Sequence, residues 1–248
     1  MGTGFGALCT DFYVNQKLAL KMDLPQERET VLHFFDRVRA GYPSMSHFRR
    51  YTNELSLESG RDEGEYRWVA LRKQTVRSGH VNPESLDNVY RFHKLLLEIS
   101  PYNLSISPLD VDYLELLFGF DLECKANHNE IVFDALYGDT PMASLMDQPD
   151  ATPLDIQPII GMSLSAKCDV QAYFEVKTRT TQSQVRNNKF RTEPISVFLT
   201  LRKYGALRNL EELKEIFDML SEHCERLTED KVIPDLLAPI SRAISRNV

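Results

Sequence analysis

The stretch Tyr113-Leu-Glu-Leu-Leu-Phe-Gly-Phe-Asp-Leu122 decides the fold, because large apolar residues recur at every second position along it. Successive side chains of a β-strand point to opposite faces of a sheet, so this spacing is typical of a half-buried strand. Related patterns predict further strands over Tyr13–Leu24, Phe48–Leu57, Tyr66–Thr75, Ile156–Ser165, Asp169–Thr180 and Ile195–Leu201.

Apolar residues at helical spacing lie between these strands. Asn82-Pro83-Glu84-Ser85 is a typical helix start, with proline at a position where its missing N–H does no harm. We expect Pro101 to end that helix. The predicted helices cover Val31–Tyr42, Leu86–Leu97, Asn129–Tyr137, Leu210–Leu227 and a last amphipathic segment, Leu236–Ile244.

The order strand, helix, strand, strand, helix occurs twice, and two pairs of stretches correspond. Leu20-Lys-Met-Asp-Leu24 parallels Phe118-Gly-Phe-Asp-Leu122, and Trp68–Thr75 parallels Tyr173–Thr180. We therefore predict an α+β fold of two diverged β-α-β-β-α (ferredoxin-like) repeats, with antiparallel sheets and helices packed on one face. The predicted organisation is a flexible N-terminus (1–10), a first repeat (11–107) and a second repeat with the C-terminal helices (108–248). Whether the two sheets merge is left open.

This layout resembles a sporadically distributed family of uncharacterised bacterial proteins of about this length. The resemblance rests on the opening strand, the helix ending Arg39-Ala-Gly-Tyr-Pro43, the Trp68 strand with its long following helix, the strand at Tyr113 and the late Phe198/Leu210 strand–helix pair. It implies no known activity and no catalytic residues.

Composition excludes several classes of protein. The chain has 248 residues, of which 42% are hydrophobic and 26% charged, as in ordinary globular proteins. No window approaches the roughly 20 apolar residues that span a bilayer, and the N-terminus lacks the features of a signal peptide. The four cysteines are far apart without a CxxC pair, which favours reduced thiols. We therefore expect a cytoplasmic protein without membrane contact.

No catalytic, cofactor or metal signature is found. The Gly2-Thr-Gly-Phe-Gly6 run precedes the first strand, whereas a dinucleotide loop follows one. Cys124 and His128 lack the second ligand pair of a typical zinc site. His33 and His93 lie on amphipathic helices, where packing or solvation is the usual role. The sequence therefore favours a protein that is not an enzyme, with an enzyme kept as an alternative below, and we expect no cofactor.

Charge gives the candidate binding site. The net charge is −7, with eleven acidic residues and only Lys125 between Leu109 and Asp155. From Val176 to Arg208, in contrast, there are eight basic residues and only Glu193. The candidate ligand- or partner-binding residues lie on a predicted 177–203 hairpin and are Lys177, Arg179, Arg186, Lys189, Arg191 and Arg202. The alternative is a solvated hairpin, or one that the acidic stretch neutralises.

The leading hypothesis is a non-catalytic binding or scaffold protein that acts through protein–protein contacts or through self-association, for example as a dimer. The long connection Gly138–Asp155 is either a functional loop or a disordered insertion. A second hypothesis is an enzyme or small-ligand protein with a cleft between the repeats, using residues of the Asp121–Glu130 region and of the Gly138–Asp155 connection. The third is single-stranded nucleic-acid binding through the basic hairpin, which the acidic net charge makes the weakest of the three.

Overall fold

The computed structural model describes residues 4–60 and 64–247, which form a mixed α/β structure with one nine-stranded antiparallel sheet and six α-helices. The strands are β1 Asp11–Leu20, β2 Met45–Tyr51, β3 Glu54–Ser59, β4 Tyr66–Arg72, β5 Thr75–Val81, β6 Val111–Cys124, β7 Ile159–Ser163, β8 Val170–Lys177 and β9 Glu193–Tyr204. The α-helices are α1 Arg28–Gly41, α2 Leu86–Asn103, α3 His128–Tyr137, α4 Gln182–Asn187, α5 Glu212–Leu227 and α6 Ala238–Arg246. Short 3₁₀ helices cover Gly4–Leu8 and Pro141–Met146, and a π-helix covers Thr228–Leu237.

The strand order is β2-β3-β4-β5-β1-β6-β9-β8-β7, so the first strand of each predicted half lies at the centre. β1 and β6 pair antiparallel from Asp11 opposite Asp121 to Leu18 opposite Leu114 and beyond. The two halves therefore share a single sheet, which answers the question that the sequence leaves open.

The alternation over Tyr113–Leu122 produces the predicted buried face. Its large apolar side chains are almost fully buried: Leu114, Leu116, Phe118, Phe120 and Leu122. Phe12 of β1 joins them, and its ring centroid lies 5.5 Å from that of Phe118 and 5.2 Å from that of Phe120. The centre of the core is therefore an aromatic cluster shared by β1 and β6.

Two long helices cover this buried face. The Ser85 hydroxyl accepts a hydrogen bond from the Asn88 amide (3.3 Å) and so caps the start of α2. The Tyr90 ring of α2 lies 5.7 Å from the Phe217 ring of α5, and the Tyr90 hydroxyl donates to Glu225 (2.7 Å). On the opposite side of the sheet, most side chains of β1 and β6 are only partly buried. We call this side, which carries Tyr13, Lys17, Trp68, Tyr113 and Arg202, the open face.

Two strand predictions in the first half are wrong. The predicted strand Phe48–Leu57 is a hairpin of β2 and β3, because the chain turns at Asn53, whose φ of +62° asparagine tolerates. β5 is not predicted, since polar residues occupy its buried positions (Ser78 and His80) and remove the apolar alternation. The predicted strand Tyr66–Thr75 ends at Arg72, where the chain turns into β5.

The polar stretch predicted as a loop over 181–194 contains α4. Its signal is the capping box, in which the Thr181 hydroxyl accepts from the Gln184 amide and the Gln184 side chain accepts from the Thr181 amide. At the N-terminus, the beginning of the glycine run lies outside the described residues. Phe5 packs against Phe12 at a ring distance of 5.7 Å. No helix in the described residues is both long and apolar enough to cross a bilayer.

Candidate functional site

The predicted basic hairpin is formed by β8 and β9, which pair antiparallel. The six candidate residues are spread along it: Lys177 ends β8, Arg179 follows it, Arg186 lies in α4, Lys189 and Arg191 lie between α4 and β9, and Arg202 lies on β9. The hairpin thus brings the candidates into one region of the chain but not into one cluster.

Two of these candidates are engaged inside the protein. The Arg179 guanidinium donates to the Pro194 carbonyl. Arg202 forms an ion pair with Glu115 on the open face at 2.5 Å, and this pair joins the basic and acidic stretches of the chain. The other four, Lys177, Arg186, Lys189 and Arg191, are exposed and form no ion pair within residues 4–60 and 64–247.

Three aromatic rings lie across glycines on the open face, each directly opposite the glycine on the neighbouring strand. They are Trp68 opposite Gly79, Tyr13 opposite Gly119 and Tyr173 opposite Gly161. A Cβ at Gly79 would come within 2.3 Å of the Trp68 indole nitrogen, and one at Gly119 within 2.2 Å of the Tyr13 ring. Glycine is therefore required at these positions if the rings are to lie flat on the sheet.

Several charged side chains lie between these rings and form ion pairs with one another. Glu115 binds both Lys17 (3.3 Å) and Arg202, and the Arg202 guanidinium lies 5.2 Å from the Tyr173 ring centroid. Arg77 lies 5.5 Å from the Trp68 ring centroid. The basic groups at the centre of the open face are thus already paired with carboxylates or rings.

A pocket of about 420 Å³ opens on the same face, where β1, β4, β5 and β6 lie side by side. Its lining is formed by Asp11, Tyr13, Asn15, Gly64, Tyr66, Trp68, Val81, Asn82 and Asp121. The lining comes from both halves of the chain and includes two carboxylates and three aromatic side chains, but no lysine or arginine. Trp68 is the only tryptophan in the sequence.

Hydrogen bonds hold the two carboxylates in place. Asp11 Oδ1 accepts from the Asn82 amide group (2.6 Å), and Asn82 is itself fixed by a backbone hydrogen bond to the Phe12 carbonyl (2.7 Å). Asp121 Oδ1 accepts from the Tyr13 hydroxyl (3.4 Å) and from the Ser196 hydroxyl. The carboxylates therefore keep their positions without a nearby ligand.

The charged residues of the pocket lining are Asp11 and Asp121, while Arg77 lies against the Trp68 ring and the charge of Arg179 acts on Tyr13 from outside the lining. Burial, and then the negative charge of Asp121, raises the pKa of the Tyr13 hydroxyl above its usual range, so that it remains a hydrogen-bond donor. Burial, and then the charges of Asp11 and Asp121, raises the pKa of the Cys9 thiol to about 11. Carboxylates beside aromatic rings favour a positively charged group.

Of the other histidines that the sequence suggests, two are buried in the packing and one is exposed. His128, which lies four residues after Cys124, has Nδ1 3.2 Å from the Arg179 amide and Nε2 3.4 Å from the Cys124 carbonyl. In the described residues no group of three or more histidine, cysteine or acidic side chains is placed to hold a metal ion. His93 is fully buried, whereas His33 is exposed on α1.

Most residues of the pocket cannot be recognised from the sequence. Asp121 falls in the region named for the cleft hypothesis, but Asp11, Tyr13 and Trp68 carry no motif that would have singled them out. Only the pairing of β1 with its neighbours brings them together. A comparison with models of protein families finds none that matches this chain, and a search of curated proteins finds no similar sequence.

Proposed function

We propose that the protein is a non-catalytic binding protein that acts through protein–protein contacts or self-association, and that the open face receives the partner. The observation that supports this is the pocket at Asp11 and Asp121, which combines carboxylates and aromatic rings on a sheet face where side chains remain partly exposed. Binding sites of this kind use aromatic side chains for contact with the partner and a few polar groups to orient it.

The chemistry of the pocket suggests what the partner presents. Asp11 and Asp121 carry negative charge, and Trp68, Tyr13 and Tyr66 supply ring surface. A lysine or arginine side chain satisfies both features, since a cation is attracted by carboxylates and by the faces of aromatic rings. The proposed partner therefore inserts a basic side chain into the pocket.

Trp68 fluorescence tests the proposal. Titration with a lysine- and arginine-containing peptide should change the emission of this only tryptophan, and the same peptide with acetylated lysines and citrulline in place of arginine should not. Asp11→Asn together with Asp121→Asn should weaken binding roughly tenfold or more. Asp134→Asn, the same change at an exposed site on α3, is the matched control. An unchanged emission, or an affinity that ignores the two carboxylates, argues against the proposal.

A second candidate is a small-ligand-binding protein or enzyme, with the pocket as the cleft between the halves. The observation that favours it is that Asp11 comes from residues 11–107 and Asp121 from residues 108–248. The same fluorescence assay with choline or arginine methyl ester separates the two candidates. Saturation by a small cation alone supports the second, whereas a response that needs the peptide supports the first.

The third candidate, single-stranded nucleic-acid binding through the 177–203 hairpin, gains from its exposed and unpaired basic residues. Charge reversal at Arg186, Lys189 and Arg191 should abolish binding of a single-stranded oligonucleotide, and binding should weaken steeply with salt. Absence of a mobility shift at low salt excludes this candidate.

We further propose that the halves are diverged ferredoxin-like repeats. In each half the first strand is central and the remaining strands follow outward in reverse chain order, as β5-β4-β3-β2 and as β9-β8-β7. The first half has one strand more than the second. Superposition of residues 11–107 on residues 108–248 tests the duplication, and a poor match of the equivalent strands contradicts it.

Cytoplasmic location also belongs to this proposal. All four cysteines, Cys9, Cys124, Cys168 and Cys224, are free, as expected of a protein in a reducing compartment. Cell fractionation with an antibody to the protein tests it, and recovery from an oxidising compartment overturns it.

A further inference from the structure

β7 (Ile159–Ser163) ends the sheet and leaves one side of its backbone without a neighbouring strand in the part of the chain that the structure describes. Its side chains are exposed on both faces. Ile159 is 63% exposed, Ile160 64% and Met162 38%. Apolar edge strands of this kind are places where another strand adds.

The two edges of the sheet differ in how they are protected. β2, at the opposite edge, carries Arg49 and Arg50 and has an irregular register near His47. Charges and bulges on an edge strand discourage pairing with other chains. β7, in contrast, lies in an uncharged run from Ile156 to Ala166. The edge at β7 therefore lacks the features that keep an edge strand unpaired.

The hydrogen bonds to β8 show which backbone groups of β7 face outward. The Leu164 amide donates to the Val170 carbonyl (2.8 Å), and the Val176 amide donates to the Pro158 carbonyl (2.9 Å). Hydrogen-bonded positions alternate along an antiparallel pair, so the even-numbered residues bond to β8. The amide and carbonyl groups of Ile159, Gly161 and Ser163 consequently point away from the sheet.

We propose that a second copy of this chain pairs with β7 antiparallel, about a two-fold axis at Gly161. Ile159 then lies opposite the partner's Ser163, and Gly161 lies opposite the partner's Gly161. This register turns all three outward positions into hydrogen-bonded pairs, up to about six bonds across the axis. The proposal specifies the self-association in the proposed function and does not involve the pocket on the open face.

The side chains fit this register. Ile160 and the partner's Met162 come opposite each other on the buried side of the sheet, so apolar groups meet apolar groups. On the open face the axis passes between two glycines, each covered by a Tyr173 ring that would lie 2.7 Å from an added Cβ. No side chain therefore obstructs the close approach of the two strands at the axis.

The charges beyond the strand are also complementary. Asp155 and Lys167 lie at equal sequence distances on either side of Gly161, and the residues between them are uncharged. Lys167 lies in the turn that follows β7, so the register itself does not extend to it. In the antiparallel arrangement Asp155 of one copy lies towards the same end of the paired strands as the partner's Lys167, and the register brings no like charges together. Antiparallel pairing of two β7 strands is thus favoured over pairing with an arbitrary apolar strand.

The segment before β7 adds apolar surface to the same part of the chain. Met142, Leu145 and Leu154 are also exposed. The connection is held in place at Leu154, whose carbonyl accepts from the Asn129 side chain (3.0 Å). A stable dimer buries about 800 Å² on each partner, more than a five-residue strand provides. Met142, Leu145 and Leu154 lie close to β7 in the sequence and can supply the rest of the buried area.

Analytical ultracentrifugation over a wide range of protein concentration tests the proposal. The wild type should sediment as a closed dimer, without larger polymers because the β2 edges stay protected. The dimer should persist near 1 M salt, where the screening length is only about 3 Å. Ile160→Lys should raise the dimer dissociation constant roughly tenfold or more. Met22→Lys, at a similarly exposed position (68%) four strands away, should not. A monomeric wild type, or an Ile160→Lys variant that dimerises normally, overturns the proposal.

Disulfide trapping tests the register. In a Cys168→Ser background, Ile159→Cys with Ser163→Cys should give a covalent dimer on mild oxidation, since opposed Cα atoms lie about 5.5 Å apart. Each single cysteine variant should remain uncrosslinked, because the two copies of one position are then about four residues apart along the strands. Cross-linking of the single variants, or none in the double variant, overturns the proposed register.

The β7 dimer and the proposed open-face site can be refuted independently of each other. The Trp68 titration reports the open face, whereas sedimentation and cross-linking report β7. A monomer that still binds the basic peptide refutes the β7 dimer alone. A β7 dimer whose Trp68 emission does not respond refutes the open-face site alone.

Discussion

Acidification should destabilise the fold through His93. Its ring is fully buried between α2 and the sheet, with Nδ1 2.8 Å from the Ser78 hydroxyl, and Nε2 has no hydrogen-bond partner among the described residues. Burial, followed by the nearby His80, lowers the pKa of His93 from 6.5 to about 3. The folded protein therefore keeps this ring neutral at a pH where the unfolded chain already binds a proton.

The magnitude follows from the difference between the two states. Because the folded pKa is the lower one, the stabilisation is complete above pH 6.5 and is lost as the pH falls towards 3. At pH 5, about 1.5 units below the unfolded pKa, the loss is about 2 kcal/mol at 1.36 kcal/mol per unit. His80 adds less to this argument. Burial lowers its pKa as well, but its Nε2 lies 2.5 Å from Glu65, whose charge favours the protonated ring.

Urea unfolding at pH 7 and at pH 5 measures the effect. Between these pH values the free energy of unfolding of the wild type should fall by about 2 kcal/mol more than that of His93→Gln, because glutamine cannot take up the proton. His33→Gln, at an exposed position on α1, should behave like the wild type. Equal losses in the wild type and His93→Gln would refute the reasoning.

Three further predictions concern the sheet, a helix cap and the thiols. Gly119→Ala should lower the free energy of unfolding in urea by about 1–3 kcal/mol, since the added Cβ overlaps the Tyr13 ring. Gly6→Ala, whose Cβ meets nothing within 4 Å, should leave it unchanged. Equal urea midpoints for the two variants would contradict this. Ser85→Ala should cost about 1 kcal/mol through loss of the α2 cap, and Ser85→Asp should restore it; an unchanged melting temperature in Ser85→Ala argues against the cap. Cys168 is exposed and Cys224 is buried, so a thiol reagent should modify Cys168 in the native protein and Cys224 only after unfolding. Modification of both cysteines at the same rate would contradict the burial of Cys224.

The elements that the sequence predicts well are those where periodicity and burial coincide. The strands around Phe118 and Leu199 have apolar residues at successive inward positions from Leu114 to Leu122 and from Ile195 to Leu201, and most buried positions of α5 are apolar as well. β5 has no such pattern, because Ser78 and His80 occupy inward positions and bond to other polar groups. A pattern of alternating apolar residues cannot indicate a strand whose buried side chains are polar and form hydrogen bonds with residues elsewhere in the chain.

The pocket illustrates a second limit of local patterns. Asp11 and Asp121 are distant in sequence, and their approach depends on the register between β1 and β6. Neither residue stands in a motif, and the adjacent glycines have meaning only once the rings of Tyr13 and Trp68 are seen to cover them. The basic hairpin was visible from composition, but its pairing of Arg202 with Glu115 was not.

The antiparallel pairing of β1 with β6 has a consequence for dissecting the protein. Ten residues of β1 have partners on β6, so separating the chain at 107/108 would expose two long unprotected strands at once. Each piece made alone should then precipitate or bind chaperones. Produced together, the two pieces should complement each other through these strands and restore the intact fold, which makes this junction a natural place for a split reporter.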